Sequence, residues 1–138
     1  MARYITLEEA NRALPDVERI IRRLRRIREE ARNLRNQLED LWAALEGEAA
    51  RLTEISESQG RLNGFREEFG ALVQELEERG AVLRDLDLGL VDFPTMAGNA
   101  EIYLCWKVGE ESIGFWHGLG EGYAGRKPLS VLRAPRRH

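Results

Sequence analysis

The feature that most constrains this chain is a heptad seam. Beyond Pro15 the apolar residues Val17, Ile20, Leu24, Ile27, Ala31, Leu34, Leu38, Leu41 and Leu45 follow one another at alternating steps of three and four. That spacing places them all on one side of an α-helix and leaves charged residues on the other. The rhythm continues more weakly through Leu52, Ile55, Leu62, Phe69, Val73 and Leu76, with polar Glu48, Gln59 and Arg66 at intervening seam positions. A single rod over this stretch would be about 100 Å long and would leave its stripe open to water. Two antiparallel helices cover that stripe, so a long coiled-coil-like hairpin is expected over residues 1–80.

Local signals set its boundaries. Thr6 with Glu9 reads as a capping box, opening a short helix at about Leu7–Ala13 that Pro15 kinks or restarts. Ser56, Ser58, Gly60, Asn63 and Gly64 crowd into nine residues. As helix they cost on the order of 3 kcal/mol in propensity, so the hairpin tip is expected within 57–64, with Gly47 as the rival. A late tip of this kind makes the first helix long, about 16–57, and the second short, about 64–79. The first half of the long helix is then left for the C-terminal region, or another chain, to cover.

The composition changes after Gly80, where eight of the thirteen glycines and three of the four prolines fall. Strands are expected at Val82–Leu86, at Leu88–Phe93 with Pro94 ending it, and at Glu101–Val108 after a Gly98-Asn99 turn. In the last of these Ile102, Leu104, Trp106 and Val108 share one face, and Tyr103, Cys105 and Lys107 the other. Closing Gly109–Ser112 as a four-residue loop pairs Trp106 with Phe115, Leu104 with His117 and Cys105 with Trp116. The expected class is therefore α+β: one domain with a helical hairpin at 1–80, a small antiparallel sheet at 81–129, and a loose basic tail at 130–138.

Charge narrows the functional classes. The chain carries 21 Lys+Arg against 24 Asp+Glu, a net charge of -3. The near-balance hides blocks: +5 over 12–35, -5 over 39–57 and -5 over 81–125. Acidic neighbours of the arginine run disfavour nucleic acid as a partner. The acidic sheet is expected beside the basic end of the long helix. Apolar runs of about five residues, such as Ile102–Trp106, are far short of the roughly 20 a membrane span needs. The N-terminus lacks a charged start followed by an apolar segment, so no signal peptide is expected. A single cysteine agrees with a reducing, cytoplasmic setting.

Chemistry-bearing residues are few. His117 is the only histidine besides the terminal one. With Asp92, Glu101, Glu110 or Glu121 it offers mixed N/O ligands for a divalent metal. The competing reading is a hydrogen-bonded histidine beside Trp116. Arg126, between glycine and proline, offers a fork for a carboxylate or phosphate, or else pairs with Asp92 or Glu121 to fasten its loop. Cys105 reads as a small buried apolar residue, because the expected register sends it and His117 to opposite faces. Two functional readings follow. The first is a non-enzymatic interaction or regulatory module that forms a homodimer, or binds a protein partner, through the helical stripe. The second is a site, hydrolytic in one version, in which Asp92, Arg126 and Trp116 bind a small anion and His117, Glu121 and Glu101 bind a metal.

The segments YITLEEANRALP (4–15), GLVDFP (89–94), YLCW (103–106), GFWH (114–117) and GYAGRKPL (122–129) together resemble a prokaryotic family called domain of unknown function 2203. The resemblance implies a small soluble protein and makes Asp92, Cys105, Trp106, Trp116, His117, Gly125 and Arg126 the residues that match its recurring motifs. It implies no established activity.

Overall fold

In the computed structural model, residues 4–44 and 49–133 are described. Helix α1 spans Leu7–Ala43, α2 spans Ala49–Glu78 and a short α3 spans Leu129–Arg133. Between them run β1 (Val82–Asp85), β2 (Leu90–Ala97), β3 (Ala100–Lys107), β4 (Phe115–His117) and β5 (Lys127–Pro128). The five strands form one antiparallel meander in chain order. The fold is α+β, a helical hairpin followed by a small sheet.

The capping box at Thr6 and Glu9 opens α1 as the sequence indicates. Pro15 neither ends nor restarts the helix; α1 runs through it. Its missing N–H leaves only the Asn11 carbonyl without a helical donor, while the Asn11 side chain accepts the Ile113 N–H at 2.8 Å.

The hairpin tip is also displaced. Ser56–Gly64 is helical within α2, which begins at Ala49, while α1 ends at Ala43. The rival Gly47 lies outside the described residues. Packing overrides propensity here: Ile55 is buried and Leu62 half-buried, so the seam continues through the poor helix formers. Near-equal arms keep the apolar stripe of α1 covered over Ile27, Ala31, Leu34 and Leu38.

The N-terminal half of α1 is covered by the sheet. Val17, Ile20, Ile21 and Leu24 pack with Val91, Phe93, Leu104 and Trp106 in one core that includes Leu76 of α2. The uncovered stripe expected from a short second helix is therefore not formed.

The charge blocks meet as well. Arg28 pairs with Asp87 at 2.7 Å, and Arg25 donates to the Leu86 and Asp87 carbonyls. The same basic stretch also reaches α2, through Arg19–Glu75 and Arg23–Glu68.

Strand β2 continues past Pro94, whose carbonyl accepts the Ile5 N–H at 3.0 Å. This is permitted because β1 pairs with β2 only as far as Asp92, so the missing proline donor costs no ladder bond.

The largest departure is the β3–β4 register. Tyr103 faces His117, Leu104 faces Trp116 and Cys105 faces Phe115, one residue off the expected pairing. The cause is local. Glu110 closes a tight turn onto Lys107, accepting its N–H at 2.9 Å, and its own carbonyl receives the Trp106 indole N–H. Ile113 then enters the core with its N–H held by Asn11, so β4 begins only at Phe115. A one-residue slip moves every side chain to the other face. His117 and Cys105 therefore share a face. The tail is likewise shorter than expected, since Leu129–Arg133 is helical; residues 134–138 lie outside the described residues.

Candidate functional site

The face of the sheet turned away from the helices carries a polar centre. Cys105 stands opposite Asp92 on β3 and β2. His117 stands opposite Tyr103, two residues along β3 from Cys105. All three are buried: Asp92 is 3%, Cys105 1% and His117 2% exposed. One ligand atom from each lies within 4.8 Å of the others. Among the described residues this is the only such group of three metal-ligating side chains.

The hydrogen bonds fix what each group presents. His117 Nδ1 lies 2.8 Å from the Gly118 carbonyl. A carbonyl only accepts, so Nδ1 carries the hydrogen. In the neutral ring Nε2 is then a lone pair, and it points at Asp92 Oδ1 at 3.0 Å. Two acceptors facing one another need a cation between them, either a proton or a metal ion. Asp92 Oδ2 is held from behind by Arg84 Nε at 2.8 Å, and Arg84 stacks on Tyr103 at 4.9 Å. The Asp92 charge holds the Arg84 guanidinium above its ordinary range, against the opposing pull of burial, which is the largest single effect on it. Burial, reinforced by the Asp92 charge, pushes the Cys105 thiol up to about 11. A free Cys105 is thus a neutral thiol and a poor nucleophile, and only a bound cation would make it a thiolate.

A cavity of about 370 Å³ lies over this centre. Arg84, Leu90, Leu119, Tyr123 and Glu121 line it together with the three buried residues. Glu121 is held in place by the Gly118 N–H at 2.7 Å and Lys127 Nζ at 2.6 Å. These two partners, Lys127 first, lower its pKa. Glycine is required at 125, where a Cβ would sit 2.7 Å from the Glu121 Cβ.

Of the other sequence candidates, Arg126 borders the centre, its charge acting on the Cys105 thiol, whereas Glu101 and Trp116 lie away from it. Arg126 meets neither Asp92 nor Glu121. It grips both carboxylate oxygens of Glu110, at 3.0 and 2.8 Å, and stacks on Phe115 at 3.8 Å. Glu101 sits four residues from Cys105 along β3, about 13 Å at strand spacing, and hydrogen-bonds Tyr4, raising the pKa of that phenol. Trp116 belongs to the face opposite His117, with Lys127 Nζ 4.7 Å from its ring. Two members of the centre escaped the sequence reading. Cys105 was hidden by the register, and Arg84 carried no motif. The signal that would have exposed Cys105 is Glu110, an acceptor placed three residues after Lys107 to cap a tight turn.

The fold and site define a class: a helical hairpin packed on a five-stranded antiparallel meander, with a buried Asp–Cys–His cluster under a cavity. Residues 3–129 match the family model described as "Uncharacterized conserved protein (DUF2203)". The chain belongs to that family, as the motif resemblance indicates. No curated protein and no solved structure matches the chain.

Proposed function

We propose that this protein binds one divalent transition-metal ion through Asp92 Oδ1, Cys105 Sγ and His117 Nε2. The observation that carries the reading is the buried, mutually close ligand trio with an Nε2 lone pair aimed at a carboxylate oxygen. Tetrahedral geometry with ligand bonds of roughly 2.0 Å places N and O ligands about 3.3 Å apart, close to the 3.0 Å seen. The outer shell is also of the usual kind. Gly118 sets the histidine tautomer and Arg84 orients the carboxylate. The donor set of one oxygen, one sulfur and one nitrogen suits zinc and its neighbours over magnesium or calcium.

Three protein ligands beneath a cavity leave a fourth position for water or a small ligand, the pattern of reactive rather than purely structural sites. Glu121 on the cavity wall supplies a fixed carboxylate beside that position. Self-association through the α1 stripe has lost the observation that motivated it, since α2 and the sheet cover the stripe.

Cobalt(II) titration tests the site directly. A thiolate-to-metal charge-transfer band saturating at one equivalent, absent in Cys105→Ser, is the expected outcome. A spectrum of hydrated cobalt alone would refute the site.

A further inference from the structure

A second feature lies on the helical hairpin, away from the metal centre. A groove of about 270 Å³ opens between α1 and α2. Its floor is apolar, built from Ile27, Ala31, Leu62 and Phe65, and Arg28, Arg35 and Arg66 stand around it. Arg28 is engaged with Asp87. Arg35 and Arg66 show no ion-pair partner among the described residues. The groove is thus shaped for an apolar side chain carried on an acidic segment.

The chain itself contains such a segment. Residues 39–57 hold six acids and one arginine. Trp42 is 52% and Leu52 48% exposed, large apolar groups without cover near the hairpin end. Both lie on the flank that carries the groove. Arg28, Arg35 and Trp42 follow one another at steps of seven on α1, and Leu52, Gln59 and Arg66 do so on α2, so each trio occupies one helical stripe.

We infer that the occupant is a second copy of this chain. Two hairpins lie antiparallel across this flank, and Trp42 of each enters the groove of the other. Trp42 and Ala31 are eleven residues apart, about 17 Å along the helix. A two-fold axis midway between them satisfies both grooves with one operation, the self-complementary geometry that closed dimers require. Glu39 and Asp40, close to Trp42 in sequence, then approach the basic rim of the other copy's groove, twice over. A tryptophan anchor in an apolar pocket with a charged rim is the usual anatomy of an interface hot spot.

Sedimentation equilibrium of the full chain tests this. A dimer is expected, weakened by added salt. Trp42→Glu and the double variant Arg35→Glu with Arg66→Glu are each expected to weaken it by at least about tenfold. These are surface positions, and an unchanged helical spectrum and cobalt titration would show the fold intact. A photo-reactive phenylalanine at position 42 is expected to cross-link to residues 27–35 or 62–69 of a second copy. A monomer at every concentration overturns the inference. So does a dimer indifferent to both variants, or cross-links confined to other regions.

Discussion

At the scale of single residues, the site depends on how His117 and Asp92 divide one cation between them. With Nδ1 committed to the Gly118 carbonyl, only a proton or a metal reconciles Nε2 with Asp92 Oδ1. Asp92→Ala removes that partner and leaves Arg84 and a buried imidazole facing each other. Breaking a buried pair of this type costs about 3–5 kcal/mol, which urea denaturation of the metal-free protein would measure. Arg84 touches the cluster only through the far oxygen of Asp92. Arg84→Gln is therefore expected to lower metal affinity by about 10–100-fold while leaving the binding ratio at one. Competition titration against a chromophoric chelator reads both quantities.

At the scale of elements, two contacts tie the layers together and each has a sign. Arg23 donates to both oxygens of Glu68 across the hairpin, at 2.7 and 2.8 Å. That hydrogen bond holds the Glu68 carboxyl below its ordinary pKa. A group depressed on folding adds stability above its unfolded pKa and loses it as pH falls through the folded value. Glu68→Gln is expected to lower stability modestly at neutral pH, where the pair is fully formed, to leave it unchanged in strong acid where Glu68 is protonated, and so to flatten the acid limb of a stability–pH curve. Gly89, in the turn between β1 and β2, has φ +69°, and a Cβ there would lie 2.7 Å from Val108 Cγ2 and 2.8 Å from Arg25 Nη2. Gly89→Ala is expected to cost about 1–3 kcal/mol, seen as a lower midpoint in thermal unfolding. The elements also show where sequence reasoning ends. The seam of α1, the capping box, the Gly98-Asn99 turn and the apolar face of β3 are periodic or local signals, and all appear in the structure. The hairpin tip and the β3–β4 register depend on contacts distant in sequence. Leu62 of α2, half-buried at the hairpin seam, outweighs the glycines around it, and Asn11 captures Ile113 from 102 residues away. Because one register step exchanges faces, that single contact helps decide whether Cys105 lies beside His117 or on the opposite face. Asp92 and His117 were legible as polar residues in apolar motifs; their meeting with Cys105 was not.

At the scale of the whole molecule, the two halves of the chain have different tasks. The hairpin supplies a long frame, one flank of which is basic and grooved. The sheet buries one face against α1 and holds the polar cluster on the other, beneath a cavity lined by the glycine-rich loop at 118–122. The near-zero total charge conceals this division: of the nine arginines in residues 12–35, Arg19 and Arg23 hold α2, and Arg25 and Arg28 hold the β1–β2 turn. The central claim is that the cluster holds a metal, and elemental analysis of protein purified without chelator tests it most directly. About one equivalent of a divalent transition metal per chain, lost in His117→Ala and in Cys105→Ser, is the expected result. Wild-type protein that carries no such metal, and takes none up stoichiometrically when zinc is supplied and excess is removed, would contradict it.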